Sequence, residues 1–451
     1  MSSLRRVPLF AVLALVLIVA GVLSSMAKDT DPTQLPSGLS LASNAESTAL
    51  YCTGLTSAKD GASGRVTFVN TSSSAHVITI DDVSDAGGHL SRQASLGAYQ
   101  SISVDPSAHL TGDSFGVGAQ VSGGGVVGVE ATNSDTSEAP CISTGVTNWF
   151  GAGFDTTVGS NAELSVYNPT ATPAVFNVST YSSAGYVAPP KFQGYAVGPH
   201  AQAELDLGTA LVNLTNVGVH VHVLRGALVI VGVQKSGATV SLNSGSTEPS
   251  TAALFPRVTT AESALAQIRL ANPGSQSAQV SLSVTLAPFH VPTQSVTVPA
   301  YGSALASITP NPAIPASGYA SITLSSNHPV IATLATGTGT DVALTSPELP
   351  ESEFFVDDVT GHGFDAAALT NTSTKSIAVK VSTLKTSAVR ATGIIHLDGG
   401  ATADLKSDFA GLSSLHGVLM LVQASKPALL VTLTLPTKPV GTAVVQPLDG
   451  R

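Results

Sequence analysis

The stretch AELSVYNPTATPAVFNV, residues 162–178, decides the fold. On either side of its Asn-Pro pair, apolar and polar residues alternate, the pattern of two half-buried strands meeting at a turn. Three more stretches follow the same plan: VTFVNTSSSAHVITI (66–80), QIRLANPGSQSAQVSL (267–282) and AALTNTSTKSIAVKV (367–381). Their shared asparagines are Asn70, Asn168, Asn272 and Asn371. A recurrence at this spacing predicts a repeated fold before it predicts a repeated site. Asparagine suits such a turn because its side chain bonds the backbone two residues on and because it tolerates left-handed φ.

The register reaches well beyond the turn. Two residues before each asparagine stand Phe68, Val166, Leu270 and Leu369; eight after it stand Ile78, Phe176, Val280 and Val379. Leu96, Val298 and Leu397 lie 26 residues on, and Val197 of the second copy lies 29 on. Aromatic residues precede each copy at Tyr51, Trp149 with Phe150, Phe255, and Phe354 with Phe355. The second copy reads as about seven strands: one around Trp149, then 162–167, 174–180, 194–197, 203–207, 217–223 and 227–233. That count predicts an all-β chain of four tandem immunoglobulin-like β-sandwiches of about 100 residues each. The segments expected are 49–145, 146–250, 251–352 and 353–451, the last with a C-terminal tail. Linkers rich in Ser, Thr, Pro and Glu are expected at 134–140, 243–251 and 345–353.

Before the first segment lie a polar stalk, 28–48, and the N-terminal stretch 1–27. There MSSLRR precedes an uncharged apolar run, Val7–Leu23. Basic residues ahead of such a run favour export of everything downstream. Its length suits one N-terminal hydrophobic helix retained as an anchor, and SMA at Ser25–Ala27 suits a cleaved signal peptide. Export agrees with the composition, in which charged residues are 11% and Ser and Thr supply the polar faces. Beyond residue 27 there are 17 basic against 29 acidic groups, which argues against nucleic acid and anionic lipid as partners. Cys52 and Cys141, the two cysteines, bracket the first segment and predict one disulfide that staples it shut.

ALYCTGL at 49–55, a strand running into VN or NP, and TNWFGAGF at 147–154 opening the next copy together resemble an uncharacterised actinobacterial family of exported, membrane-anchored envelope proteins. The Ala, Gly, Thr and Val bias is similar too. The resemblance implies an extracytoplasmic body behind a single hydrophobic segment. It implies no activity, and it brings no catalytic residues.

Reactive constellations are weak. Ser382 and Lys385 form an SxxK, but within the strand after Asn371, whereas the penicillin-binding enzymes open a helix with that serine. His220 and His222 project from one strand face, two ligands where zinc needs more. Asp357, Asp358, His362 and Asp365 read as a solvated turn, and so do Asp81 and Asp82. No cofactor or metal is expected. The best binding candidate is the loop 179–198, which gathers Tyr181, Tyr186, Phe192 and Tyr195 around Pro189-Pro190. The expected function is that of a non-enzymatic structural or protein-interaction protein of the cell envelope. Its partners would be other exported proteins or, in the alternative reading, wall glycan.

Overall fold

Asn168 joins a strand Ser160–Tyr167 to a strand Ala174–Ser182, as the alternation predicts. The second of these buries every other residue over most of its length. The first is buried on both faces from Ala162 onward, because its outer face is covered by the preceding segment. That corrects the expectation of two half-buried strands.

The computed structural model describes residues 47–57, 64–132, 137–260, 265–286, 289–309, 311–314, 319–338, 341–347, 353–357, 366–385, 388–405, 419–425, 429–434 and 446–447. The apolar run, nearly all of the stalk, and Asp358, His362 and Asp365 lie outside these residues. The described part is all-β and belongs to one unit, Pro36–Arg451. Short 3-10 turns occur at Pro106–Ala108, Pro190–Phe192 and Leu207–Thr209.

In residues 48–140 one antiparallel sheet runs Thr48–Thr56, Ser114–Val121, His76–Ser84, His89–Leu96. The other runs Ser101–Val104, Gly64–Asn70, Val126–Thr132, Glu138–Pro140. Leu50, Phe68, Ile78, Leu96, Phe115 and Val126, drawn from both sheets, share one core. In residues 148–243 the sheets run Asn148–Phe154, Val217–Arg225, Ala174–Ser182, Gly185–Val187 and Gln202–Asp206, Ser160–Tyr167, Val229–Ser236, Thr239–Asn243. All seven strands expected there are present; Gly185–Val187 and Thr239–Asn243 are additional. Further along, the 20-residue strand Tyr319–Thr338 serves two sheets, pairing with Ser250–Thr259 and Ala278–Leu286 early and with Leu265–Ala271 late. In residues 353–447, Leu419–Ala424 lies between Glu353–Asp357 and Ile377–Lys385, while Ala366–Asn371 lies between Thr402–Asp404 and Leu429–Thr434.

All four asparagines are fully buried, and each makes the same set of bonds. Oδ1 accepts the N–H two residues on, at 2.9 Å from Ser72, 3.0 Å from Thr170, 2.9 Å from Gly274 and 3.0 Å from Ser373. Nδ2 donates to the carbonyl four residues on, of Ser74, Thr172, Gln276 or Lys375. It also reaches the carbonyls of Leu96, Val197, Val298 and Leu397, the apolar positions of the longer register. Each asparagine therefore rivets its own turn to a distant loop. Left-handed φ is not part of the role: that conformation falls in the facing loop, at Tyr99, His200, Tyr301 and Gly400. The residue after each of these accepts the asparagine's backbone N–H.

The two cysteines form the expected disulfide, with both residues buried. Tyr51 and Ile142 exchange backbone hydrogen bonds beside it, so the segment's exit is fastened to its first strand. Two of the expected linkers are tied down as well, while most of the third, 345–353, lies outside the described residues. Within 134–140, Glu138–Pro140 is an edge strand, and within 243–251, Ser246 bridges to Phe150. Asp82 departs from its expected place in a solvated turn. It lies in the strand His76–Ser84, fully buried, with Arg92 Nη1 at 2.7 Å. Burial pushes its carboxyl up and the guanidinium pulls it down, with burial the larger effect.

Candidate interaction surface

The aromatic loop begins where the strand Ala174–Ser182 turns back through Gly185, whose φ of 95° suits glycine, into Gly185–Val187. Pro189-Pro190 then opens a 3-10 turn that drives Phe192 into the core. Of the four candidate aromatics, Phe192 is 1% exposed and Tyr181 4%, so both are structural. Tyr195 is half-buried, its ring 5.4 Å from that of Phe176. Tyr186 stands out at 51% exposed. Its ring is 5.8 Å from Tyr181 and 6.0 Å, edge-on, from Tyr301 of the third segment. Tyr301, 43% exposed, was not singled out in the sequence, although it occupies the left-handed position of its loop. The loop therefore presents a tyrosine pair that straddles two segments.

His220 and His222 share Asn148 Oδ1, at 3.1 Å and 3.0 Å. His220 stacks flat on Phe150 with ring centroids 4.1 Å apart. Burial, with His222 adding to it, pulls the His220 imidazole down to about 4. Among the described residues, no three His, Cys, Asp or Glu side chains converge on a point. Ser382 is buried in mid-strand, not at the start of a helix. Trp149 is 2% exposed and donates from Nε1 to the Ser244 carbonyl at 2.8 Å, so it offers no platform for a sugar ring.

The polar groups that do converge lie at the seams between segments. At the first seam Thr53 bonds Gln202 Oε1 at 2.9 Å and meets Ser165, all three buried. Tyr51 and Tyr167 are 6.1 Å apart, and Val83 packs with Tyr167 and Val229. At the second seam Arg269 Nη1 bonds Asp155 Oδ2 at 2.7 Å and the Gly153 carbonyl at 2.6 Å. Asn216 Nδ2 reaches the Ala304 carbonyl at 2.7 Å, and Val342 and Leu344 join the core around Trp149 and Phe154.

Residues 116–415 match the family described as "Family of unknown function (DUF5719)". The chain belongs to that family. No curated protein matches this DUF5719 chain. Among solved structures it is similar to a tetra-tandem repeat in the extending region of a large adhesion protein, at 13% identity and a TM-score of 0.12, covering 90% of this chain and 100% of that one. It is also similar to the α-L-rhamnosidase of Streptomyces avermitilis, solved with L-rhamnose, at 10% identity and a TM-score of 0.14, covering 73% and 45%. The GH78 family rhamnosidase of Bacillus sp. GL1 gives 10% identity and a TM-score of 0.17, covering 91% and 54%. At these TM-scores none of the three bears on fold or chemistry.

The DUF5719 chain also carries buried acids that pattern reading passed over. Glu130 is fully buried and accepts the Gly54 N–H at 2.7 Å. Glu163, also buried, meets Lys235 Nζ at 3.1 Å and lies beside Glu204. In sequence, Glu130 sits in VVGVEAT with apolar residues on both sides, and that setting is the signal that could have marked it.

Proposed function

We propose that the protein is a non-enzymatic spacer and interaction scaffold of the actinobacterial cell envelope. In this reading four tandem immunoglobulin-like sandwiches, divided as 49–145, 146–250, 251–352 and 353–451, stand outside the membrane behind the N-terminal hydrophobic segment. Support for the repeat comes from the shared asparagine bonds and from the like pairing orders of the sheets. The observation that carries the mechanical role is the buried Arg269–Asp155 bond at the second seam. A spacer transmits position only if its units cannot swivel, and a buried charged hydrogen bond across a joint opposes swivelling.

The test is accessibility in living cells. Protease added to spheroplasts should digest the body without lysis, while the cytoplasmic proteins survive. A body that stays protected until the cells are broken would overturn the proposal.

A second reading, wall-glycan binding, draws on the exposed pair Tyr186 and Tyr301. Tyrosine offers a rigid, amphipathic surface at low entropic cost. Co-sedimentation of residues 28–451 with isolated wall polymer should then be saturable and weakened by Tyr186→Ala with Tyr301→Ala. Protein that remains in solution would remove this reading and leave the first intact.

A further inference from the structure

The two seams are built from different chemistry. At the second, one cation meets one carboxylate, Arg269 with Asp155. At the first, carboxyls outnumber cations. The strand Thr48–Thr56 shifts register between Cys52 and Leu55, leaving Thr53 and Gly54 without partners in the adjoining strand. Glu130 takes the place of that strand: its Oε2 holds the Gly54 N–H at 2.7 Å, and Thr53 supplies a second backbone bond. The same bulge carries the Thr53 hydroxyl that engages Gln202 and Ser165 of the second segment. A Cβ at Gly54 would stand 2.8 Å from Leu242 Cδ2 and 3.0 Å from Glu130 Oε1, so the bulge, the acid and the second segment touch at one point.

Among the described residues no cation faces Glu130. Val66 and Ala139 lie opposite it in the flanking strands, and Arg65 and Glu138 lie opposite Ala131, the next residue, whose side chain alternates to the other face. Val231 and Leu242 close the site from the second segment. Glu130 Oε1 has no hydrogen-bond partner among the described residues. On the same seam Glu204 faces Glu163, with Lys235, Asp85 of the first segment, and Asp206 opposite Glu163 as the surrounding charges. Lys235 is the one cation there among the described residues, and it is paired with Glu163.

We propose that two protonated carboxyls, Glu130 and the Glu204 that faces Glu163, hold the first and second segments together, so that this seam tightens in acid and loosens as the pH rises. The proposal goes beyond the spacer role and does not depend on where the protein acts.

Burial pushes the Glu130 carboxyl up to about 8. Burial, with Glu163 adding to it, pushes Glu204 up to about 8 as well. An open seam would return both to the ordinary carboxylate range. Between about pH 4.5 and about pH 8 the closed seam thus holds protons that the open seam releases. Each such group weakens closure about tenfold per pH unit over that window, and the effect levels off above it.

Hydrogen exchange of the full chain, normalised for intrinsic rate, tests this at about pH 5.5, 7 and 8.5. Protection in 48–56 and 160–167 should fall at least about tenfold across the series, while protection in 265–271, at the second seam, should not fall. Glu130→Gln and Glu204→Gln should each flatten the slope, and together should abolish it. If Glu130→Gln fails to fold, Glu204→Gln alone must still reduce the slope. Flat wild-type protection, a slope untouched by Glu204→Gln, or an equal loss in 265–271 would overturn the proposal.

Discussion

Arg269 and Asp155 are bonded at 2.7 Å across the second seam, with side-chain exposures of 8% and 12%. Asp155 Oδ1 in turn accepts the Asn216 N–H at 2.9 Å. The pair thereby links a strand of the third segment to two loops of the second. Removing one partner strands the other away from water, which costs about 3–5 kcal/mol when a buried pair is broken. Arg269→Ala should lower the stability measured by urea by about that amount, and a double-mutant cycle with Asp155→Ala should show strong coupling. Coupling below about 0.5 kcal/mol would mean that the pair does not lock the joint.

Asn168 offers a sharper test of the rivet. Its Nδ2 serves the carbonyls of Thr172, Val197 and Gly198 at 2.8, 3.2 and 2.8 Å. Asn168→Ala leaves those acceptors unpaired and should cost about 2–4 kcal/mol, since each unsatisfied buried group costs about 1–3. Asn168→Asp keeps the shape but turns oxygen towards oxygen, so it should be no better tolerated at neutral pH. A pure turn preference would let aspartate substitute freely. Denaturation of the two variants side by side separates these accounts.

His220 should remain neutral well into acid. Its imidazole titrates near 4 in the folded chain against an ordinary 6.5, because burial disfavours the charge. The unfolded chain therefore binds this proton first. The stability gained by burying neutral His220 is complete above 6.5 and drains away as the pH falls towards 4. That sign is opposite to the effect of Glu130, which favours the folded chain as the pH falls through the same range. An NMR titration of the ring protons checks it, and a midpoint near 6.5 would show that the stack on Phe150 does not shield the ring.

Phe192 and Tyr186, six residues apart, should respond in opposite ways to truncation. Phe192→Ala opens a hole in the core and should cost about 3–5 kcal/mol. Tyr186→Ala removes a ring that is half in water and should shift stability by less than about 1 kcal/mol. Thermal melts decide it. A small Phe192→Ala effect would mean that the loop is not anchored by this ring.

Strand positions were legible because a period of two needs no knowledge of neighbours. The bonds of Asn168 were half legible: the local turn follows from residue type, and the longer register marks Val197 without saying that its carbonyl is the acceptor. What could not be read was the burial of Glu163, Ser165 and Gln202, and the half-burial of Glu204. These are the residue types an exposed strand face uses, and their concealment comes from a different segment of the chain. Asp82 misled for a more local reason: its partner Arg92 stands on the facing strand of the same hairpin. The four loop aromatics, three tyrosines and one phenylalanine, were not separable by their pattern; the 3-10 turn at Pro190 sends Phe192 inward, whereas Tyr186 stays out.

The outer face of the strand Ser160–Tyr167 carries a constraint on how such a gene can change. Val231, Val233, Val240 and Leu242 of the second segment pack with Ala139 of the first. Deleting the first segment would not simply shorten the protein, because it would bare this apolar surface together with two carboxyls shaped for a neighbour. Gain or loss of a segment must therefore be accompanied by resurfacing of the sheet beside the cut. The seam positions differ from one joint to the next, while the asparagine rivets are alike, so each joint is fitted to one neighbour and each turn to a common plan.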